Sequence, residues 1–417
     1  MEIIGSKDIC SLLSNILKLI DKRPMEHGSR VAYLLYKMLQ CKEGYVEFEM
    51  ADFAFLAMMH DIGAYKTEDF SNMLDYETKN AMPHSIYGSL FLRYLSPMKD
   101  KSKVLLYHHI DYVQVKDLDY AYKDIANYIG LAERVDLYHT MLGKSFQFQL
   151  LYKYEDKKYS AEAFQLFRQA QVKYDVFEKL RSGEYMKELD TLYGYLMFSN
   201  EEKKQYMELL MYTIGFRSEY AVVDTVTTVC ICEEIAKLMS ISAEDREKLY
   251  YATLLHDVGM LAISSKILDA PRTLTPEETI KMRTHVNIAE SVLKQYLDPE
   301  ILEIAVAHHE RTNGSGYYKG LKEADMNILQ MILQVADTVT GMTNQRSYRT
   351  AKSKDFVINV LEDEANHGRF NKNIVKIFCK KYDNIMNKVA AESDHILQIH
   401  KKLNAQYNLI YDNFSKR

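Results

Sequence analysis

Two short stretches set the chemistry. MMHDIGA runs from Met58 to Ala64 and LLHDVGM from Leu254 to Met260, so a His-Asp pair recurs behind an apolar run and ahead of a glycine. Each pair opens a longer series. His60-Asp61 is followed by His84, by His108-His109 and by Glu133 within LAERVDL. His256-Asp257 is followed by His285, by His308-His309 and by Asp337 within VADTVTGM. The gaps agree: 24 and 29 residues from the pair to the lone histidine, then 24 and 23 to the His-His pair. His27 stands ahead of the first series and Asp224 ahead of the second. Nine of the 13 histidines fall in this pattern, so the register, not any single imidazole, carries the reading. Imidazole nitrogen with carboxylate oxygen is a ligand set for Fe, Mn, Zn or a similar divalent ion. A carboxylate beside a histidine is able to bridge two ions, and such a pair polarises a phosphoryl group and activates water for in-line attack. Phosphoester hydrolysis is the chemistry to which this points.

Many helices must converge to bring these ligands together. HGSRVAYLLYKMLQ, ADFAFLAMMHD, YGSLFLRYL, VCICEEIAKLM and REKLYYATLLHD each place apolar residues at intervals of three and four. No alternating strand pattern appears, and only six prolines and 16 glycines punctuate 417 residues. The fold class is therefore all-α, and the length calls for more than one core. Ser242, with Asp245 three residues on, marks a helix start. DAPRTLTPEE and RTNGSGYYKG carry turn chemistry. The halves read as two copies of one helical unit: an N-terminal domain over 1–175, a helical connector over 176–204, a second domain over 205–380 and a helical extension over 381–417. That extension is amphipathic and is a candidate surface for a homodimer.

Net charge and cysteines exclude several classes. A formal charge of −5 gives no electrostatic basis for binding DNA or RNA. The five cysteines form no zinc or redox spacing and read as thiols of a reducing cytoplasm. No signal peptide and no apolar run of about 18 residues suggests a membrane association.

The order His, His-Asp, His, His-His, Asp resembles that of the HD superfamily of metal-dependent phosphohydrolases. The second half is similar to its HD-GYP branch through LLHDVGMLAISSKILDAPRTLTPEE, MRTHVNIAESVL, AHHERTNGSGYYKGL, QVADTVTGMT and QRSYRTA, over about residues 210 to 380. The first half, about 15 to 170, resembles a shorter HD domain without the glycine-rich loop. The resemblance implies hydrolysis of a cyclic dinucleotide such as cyclic di-GMP, chiefly in the C-terminal domain, at a dinuclear Fe or Mn centre. It implies as ligands Asp224, His256, Asp257 as the bridging carboxylate, His285, His308, His309 and Asp337. Asp257, Arg346 and Arg349 would be catalytic, the two arginines gripping substrate phosphate, and Tyr317 would stack on a base. A second possible metal set is His27, His60, Asp61, His84, His108, His109 and Glu133. A glutamate that holds a third ion in some members is replaced by Arg23 and Tyr220, which favours two ions.

Both copies depart from the family pattern. Asp224 replaces the first histidine, Glu133 replaces the last aspartate, and Gly316-Tyr317-Tyr318 replaces Gly-Tyr-Pro. The lysine after the glycine is Met260 in one copy and Ala64 in the other, with Lys66 nearby. By analogy with losing one preorganised donor, this predicts about a hundredfold lower rate, roughly 3 kcal/mol. Two further readings stay open: an impaired nucleotide sensor or scaffold, and a phosphohydrolase for another nucleotide.

Overall fold

In a computed structural model of the chain, residues 4–67, 81–215, 219–268, 270, 272–344 and 350–415 are described. The all-α expectation holds: these residues contain helices and no β-strand, only two isolated bridges, Glu155 with Tyr159 and Asn313 with Lys322. No helix among them is long and apolar enough to cross a membrane. They group into two compact units, one of residues 5–213 with 402–415 and one centred on 214–401.

In the N-terminal unit five helices carry the motif: α1 (Lys22–Leu39), α2 (Glu47–Met58), α3 (Ala81–Leu95), α4 (Ser102–Tyr107) and α5 (Lys123–Leu142). α2 is apolar on nearly all sides, and Met50, Ala51 and Phe53 to Met58 are buried, as a helix inside a domain must be. It packs on α1 and ends at the His60-Asp61 pair. The stretch expected as a connector, 176–204, lies within this unit, with Val176, Leu180, Leu189, Leu192 and Tyr193 buried. The last turns of the helix Lys372–Ser415 also group here: Leu403 is buried, and Tyr407 stacks on Tyr87 with ring centroids 4.3 Å apart.

The C-terminal unit repeats the plan with α6 (Glu219–Leu238), α7 (Ala243–Leu255), α8 (His285–Leu293), α9 (Pro299–Ala305) and α10 (Ile328–Thr343). Ser242 caps α7 as the sequence suggests, its hydroxyl accepting from the Asp245 N–H at 3.0 Å. Thr275 and Glu278 form a capping box that starts the helix Pro276–Arg283, with Pro276 in its first turn. Asn327 caps α10 by accepting from the N–H groups of Leu329 and Gln330, both at 3.0 Å.

The glycine after each His-Asp pair is fixed by helix packing. A Cβ on Gly63 would lie 2.1 Å from the His84 carbonyl oxygen, and one on Gly259 would lie 1.9 Å from that of His285. Only glycine lets the turn after the pair reach the helix that carries the next histidine.

Candidate metal centres

Helix ends supply most of the candidate ligands, and one local bond orients them. His60, His108, His256, His285 and His308 each direct Nδ1 at the backbone carbonyl three residues back, at 2.6–2.7 Å. A carbonyl accepts and never donates, so Nδ1 carries the proton and the Nε2 lone pair faces inward. His27 is oriented differently. Its Nδ1 lies 2.7 Å from Asp136 Oδ2, and Asp136 Oδ1 accepts from Arg30 Nε at 2.6 Å.

In the N-terminal unit the potential ligand atoms fall into close groups: His27 with His60 and Asp61, His84 with His108 and His109, and Glu133 beside His60 and His108. Asp61 spans two of them, Oδ2 lying 3.3 Å from His60 Nε2 and Oδ1 lying 3.2 Å from His84 Nε2. Burial raises the Asp61 pKa, but the surrounding His60, His84, His27 and His108 outweigh it and hold the carboxyl at about 2. Burial pulls His84 down to about 4 against the raising effect of Asp61. The anionic carboxylate and neutral imidazole are the forms that bind metal.

The C-terminal unit repeats this with its own geometry. His285, His308 and His309 form one group and His256, Asp257 and Asp337 another. Asp257 spans them, Oδ2 lying 3.4 Å from His256 Nε2 and Oδ1 lying 3.5 and 3.6 Å from the Nε2 atoms of His285 and His308. Those two nitrogens are 3.1 Å apart, and both rings donate from Nδ1 to a carbonyl. As neutral rings they aim lone pairs at each other, an arrangement that a shared cation stabilises. Burial lowers His256, but Asp257 and then Asp337 outweigh it and raise it well above the ordinary histidine value. The residues present thus fit divalent ions on the inward Nε2 atoms and the two carboxylates.

The copies differ in two respects. Asp224 stands outside the close groups; its Oδ1 accepts from Asn344 Nδ2 at 2.7 Å. The residue that orients its counterpart His27 has changed with it. Asp136, three residues after Glu133, corresponds to Thr340, three after Asp337, and Thr340 Oγ1 lies 2.9 Å from Thr228 Oγ1. A charged His-Asp-Arg relay in one copy is a neutral threonine pair in the other. Exposure differs too. The Asp257 side chain is 42% exposed and Asp337 21%, whereas Asp61 is 4% and Glu133 2%. The carboxylates of one centre are partly open to solvent and those of the other are buried.

The glycine-containing loop stands beside the open centre. Tyr317 stacks on His309 with ring centroids 4.7 Å apart, and the Arg283 guanidinium lies over the same tyrosine at 4.7 Å. Glu310, buried next to the His-His pair, accepts from three backbone N–H groups: Lys319 at 2.6 Å, Gly320 at 3.2 Å and Leu321 at 3.0 Å. Gly316 packs with its Cβ position 2.4 Å from Glu310 Cα, a space no side chain fits. Met260 brings no charge to the position of the absent lysine. Arg346 and Arg349 lie outside the described residues.

Sequence reasoning missed Asp136, Glu310 and Arg283. Signals for two of them were present: Asp136 shares a helix face with Glu133, and Glu310 is a carboxylate directly after a motif too buried to leave it unpaired.

Several known proteins resemble this chain. Residues 208–374 match the sequence model of the HD domain family. The chain is 24% identical over 395 residues to a 3'3'-cGAMP-specific phosphodiesterase 1 of Vibrio cholerae, covering 88% of this chain and 90% of that protein. It is 33% identical over 163 residues to a cyclic di-GMP phosphodiesterase of Thermotoga maritima, covering 38% of this chain and 44% of that one. Among solved structures, a cyclic GMP-AMP specific phosphodiesterase of Vibrio cholerae, V-cGAP3, superposes with a TM-score of 0.59 at 16% identity, over 91% of this chain and 98% of that one. At that identity the likeness speaks for the fold. Together with the His-Asp register and the helical plan, the match over residues 208–374 identifies an HD domain in the second half of the chain.

Proposed function

We propose that the C-terminal centre hydrolyses a phosphodiester bond of a cyclic dinucleotide, 3'3'-cGAMP or cyclic di-GMP. The observation that carries this reading is the exposure of Asp257, a carboxylate set between two ligand groups and reachable from solvent. Its counterpart Asp61 is sealed. The names of the relatives, all cyclic-dinucleotide phosphodiesterases, supply the substrate class.

In this reading His256, Asp257 and Asp337 hold one ion and His285, His308, His309 and Asp257 the other. When bound, the ions, Fe or Mn by the family resemblance, would supply Lewis-acid polarisation of the phosphoryl group and activation of water. Asp257 joins the two groups, so its loss disables both. The Nδ1–carbonyl bonds hold the imidazoles in the ligating tautomer before any ligand arrives. Tyr317 and Arg283 form the polar edge of the opening. A base that stacks on Tyr317 displaces the Arg283 guanidinium, which then meets the substrate's phosphate, partly replacing the lysine lost at Met260. Arg346 and Arg349 are proposed as further phosphate contacts from their place in QRSYR.

The test is product analysis on 3'3'-cGAMP and cyclic di-GMP with added Fe(II) or Mn(II), for the wild type and Asp257→Asn. Linear dinucleotide from the wild type, lowered by about a hundredfold or more in the variant, is expected. Undiminished turnover in Asp257→Asn would remove the assignment. Two features favour a second reading, a nucleotide sensor without turnover: Asp224 is bonded to Asn344, and Met260 is neutral. Tight nucleotide binding with no product from the wild type would select it.

A further inference from the structure

We infer that the N-terminal cluster is a closed metal centre whose divalent ions hold the fold of that unit and take no substrate. The family match covers residues 208–374 and leaves this cluster unassigned. Its ligand set is nonetheless the more complete of the two, because His27 stands where the other copy has Asp224. His27 is held in place by Asp136, which is in turn held by Arg30.

Three observations point to bound ions. His60 Nε2 and His108 Nε2 are buried and make no hydrogen bond, although both rings are locked by their Nδ1 bonds to point these atoms inward. Burying such atoms with no partner costs about 1–3 kcal/mol each, a penalty that coordination removes. Among the described residues, the Asp61 carboxylate faces imidazole nitrogens, one oxygen toward each histidine group. A bridging ligand sits this way. Finally, Gly63 and Gly130 have no space for a Cβ, which would lie 2.1 Å from the His84 carbonyl and 2.2 Å from that of His108. The backbone is thus brought as close as glycine allows at two of the ligating residues.

Closure is what separates this centre from a catalytic one. Structural sites are filled by protein ligands, while catalytic sites keep a position open to water or substrate. No glycine-rich loop comes after His108-His109. Residues Tyr112 and Val113 instead donate backbone N–H groups to the carbonyls of Lys158 and Lys157 at 2.9 and 3.1 Å, pinning this segment to the chain just ahead of the helix Ala161–Tyr174. Among the described residues, His27, His60, Asp61, His84, His108 and Glu133 are all buried, which leaves little of the ligand set for a dinucleotide to reach.

The experiment tracks metal rather than turnover, so its outcome is independent of the phosphodiesterase assignment. Full-length protein loaded with Mn(II) or Fe(II) under anaerobic conditions is mixed with a chelator, and release is monitored by mass spectrometry alongside thermal unfolding. Two classes are expected: a fast one, lost in Asp257→Asn, and a slow one of about two ions that remains in that variant. Release of the slow class should lower Tm by on the order of 5 °C or more. Asp61→Asn made in the Asp257→Asn background should lose the slow class and melt as low as the stripped protein. If that double variant does not fold, the release kinetics of Asp257→Asn alone still decide. A single fast class, or slow ions whose removal leaves Tm unchanged, would overturn the inference.

Discussion

At the scale of single residues, what distinguishes the two centres is less the ligands than the side chains that hold them. Glu310 is the clearest case. One buried carboxylate receives the N–H groups of Lys319, Gly320 and Leu321, and so fixes the loop that carries Tyr317. Glu310→Gln removes the charge and one acceptor, and about 1–3 kcal/mol of loop anchoring should go with it. The expected result is a several-fold rise in KM with little change in metal content, and faster amide exchange at Lys319 to Leu321. Unchanged exchange would show that the loop is held by other means. Arg283 is the second case. It is exposed and lies on Tyr317, and among the described residues no carboxylate pairs with it. If it meets phosphate, Arg283→Ala should lower kcat/KM about tenfold or more and Arg283→Lys by less, because lysine keeps the charge but loses the planar fork. Equal effects from both would mean that stacking on Tyr317 matters and the charge does not.

At the scale of elements, each centre depends on a turn that meets the next helix through a glycine. Gly259 faces the His285 carbonyl and the Ala289 N–H, and an added Cβ would lie 1.9 and 2.9 Å from them. Gly259→Ala must move α8 by about 1 Å, a displacement that costs on the order of a hundredfold in a positioned site. Turnover and one bound ion should be lost while helix content by circular dichroism stays. Full activity would mean that the turn, not α8, yields. The element order was legible in the sequence because helical periodicity and the His register are local and repeated. The openness of the centres was not. It depends on how the chain beyond each His-His pair is held in space: a loop tied down by Glu310 in one copy, a segment pinned to residues 157 and 158 in the other. The substitution of Asp224 was visible in the sequence, but its bond to Asn344, 120 residues away, was not.

At the scale of the whole molecule, the two units are not consecutive segments. Residues 402–415 group with 5–213, and the contacts that place them include buried Leu403 and the Tyr407 ring on Tyr87. A chain ending at Lys401 should therefore weaken the N-terminal unit. Losing a buried leucine and a stacked aromatic pair amounts to about 3 kcal/mol or more. Calorimetry should show the transition of that unit lowered by several degrees, and an unchanged transition would mean that the last turns are dispensable.

The same interleaving bears on how the protein is made. Residues 402–415, which complete the unit of 5–213, are added roughly 190 residues after Thr213, which is on the order of 10 to 40 s of synthesis. During that interval the surface around Tyr87 that Tyr407 will cover stands bare while the second unit is still emerging. Chaperones that shield apolar surface on nascent chains have a defined target here, and the window closes only when residues 402–415 have emerged.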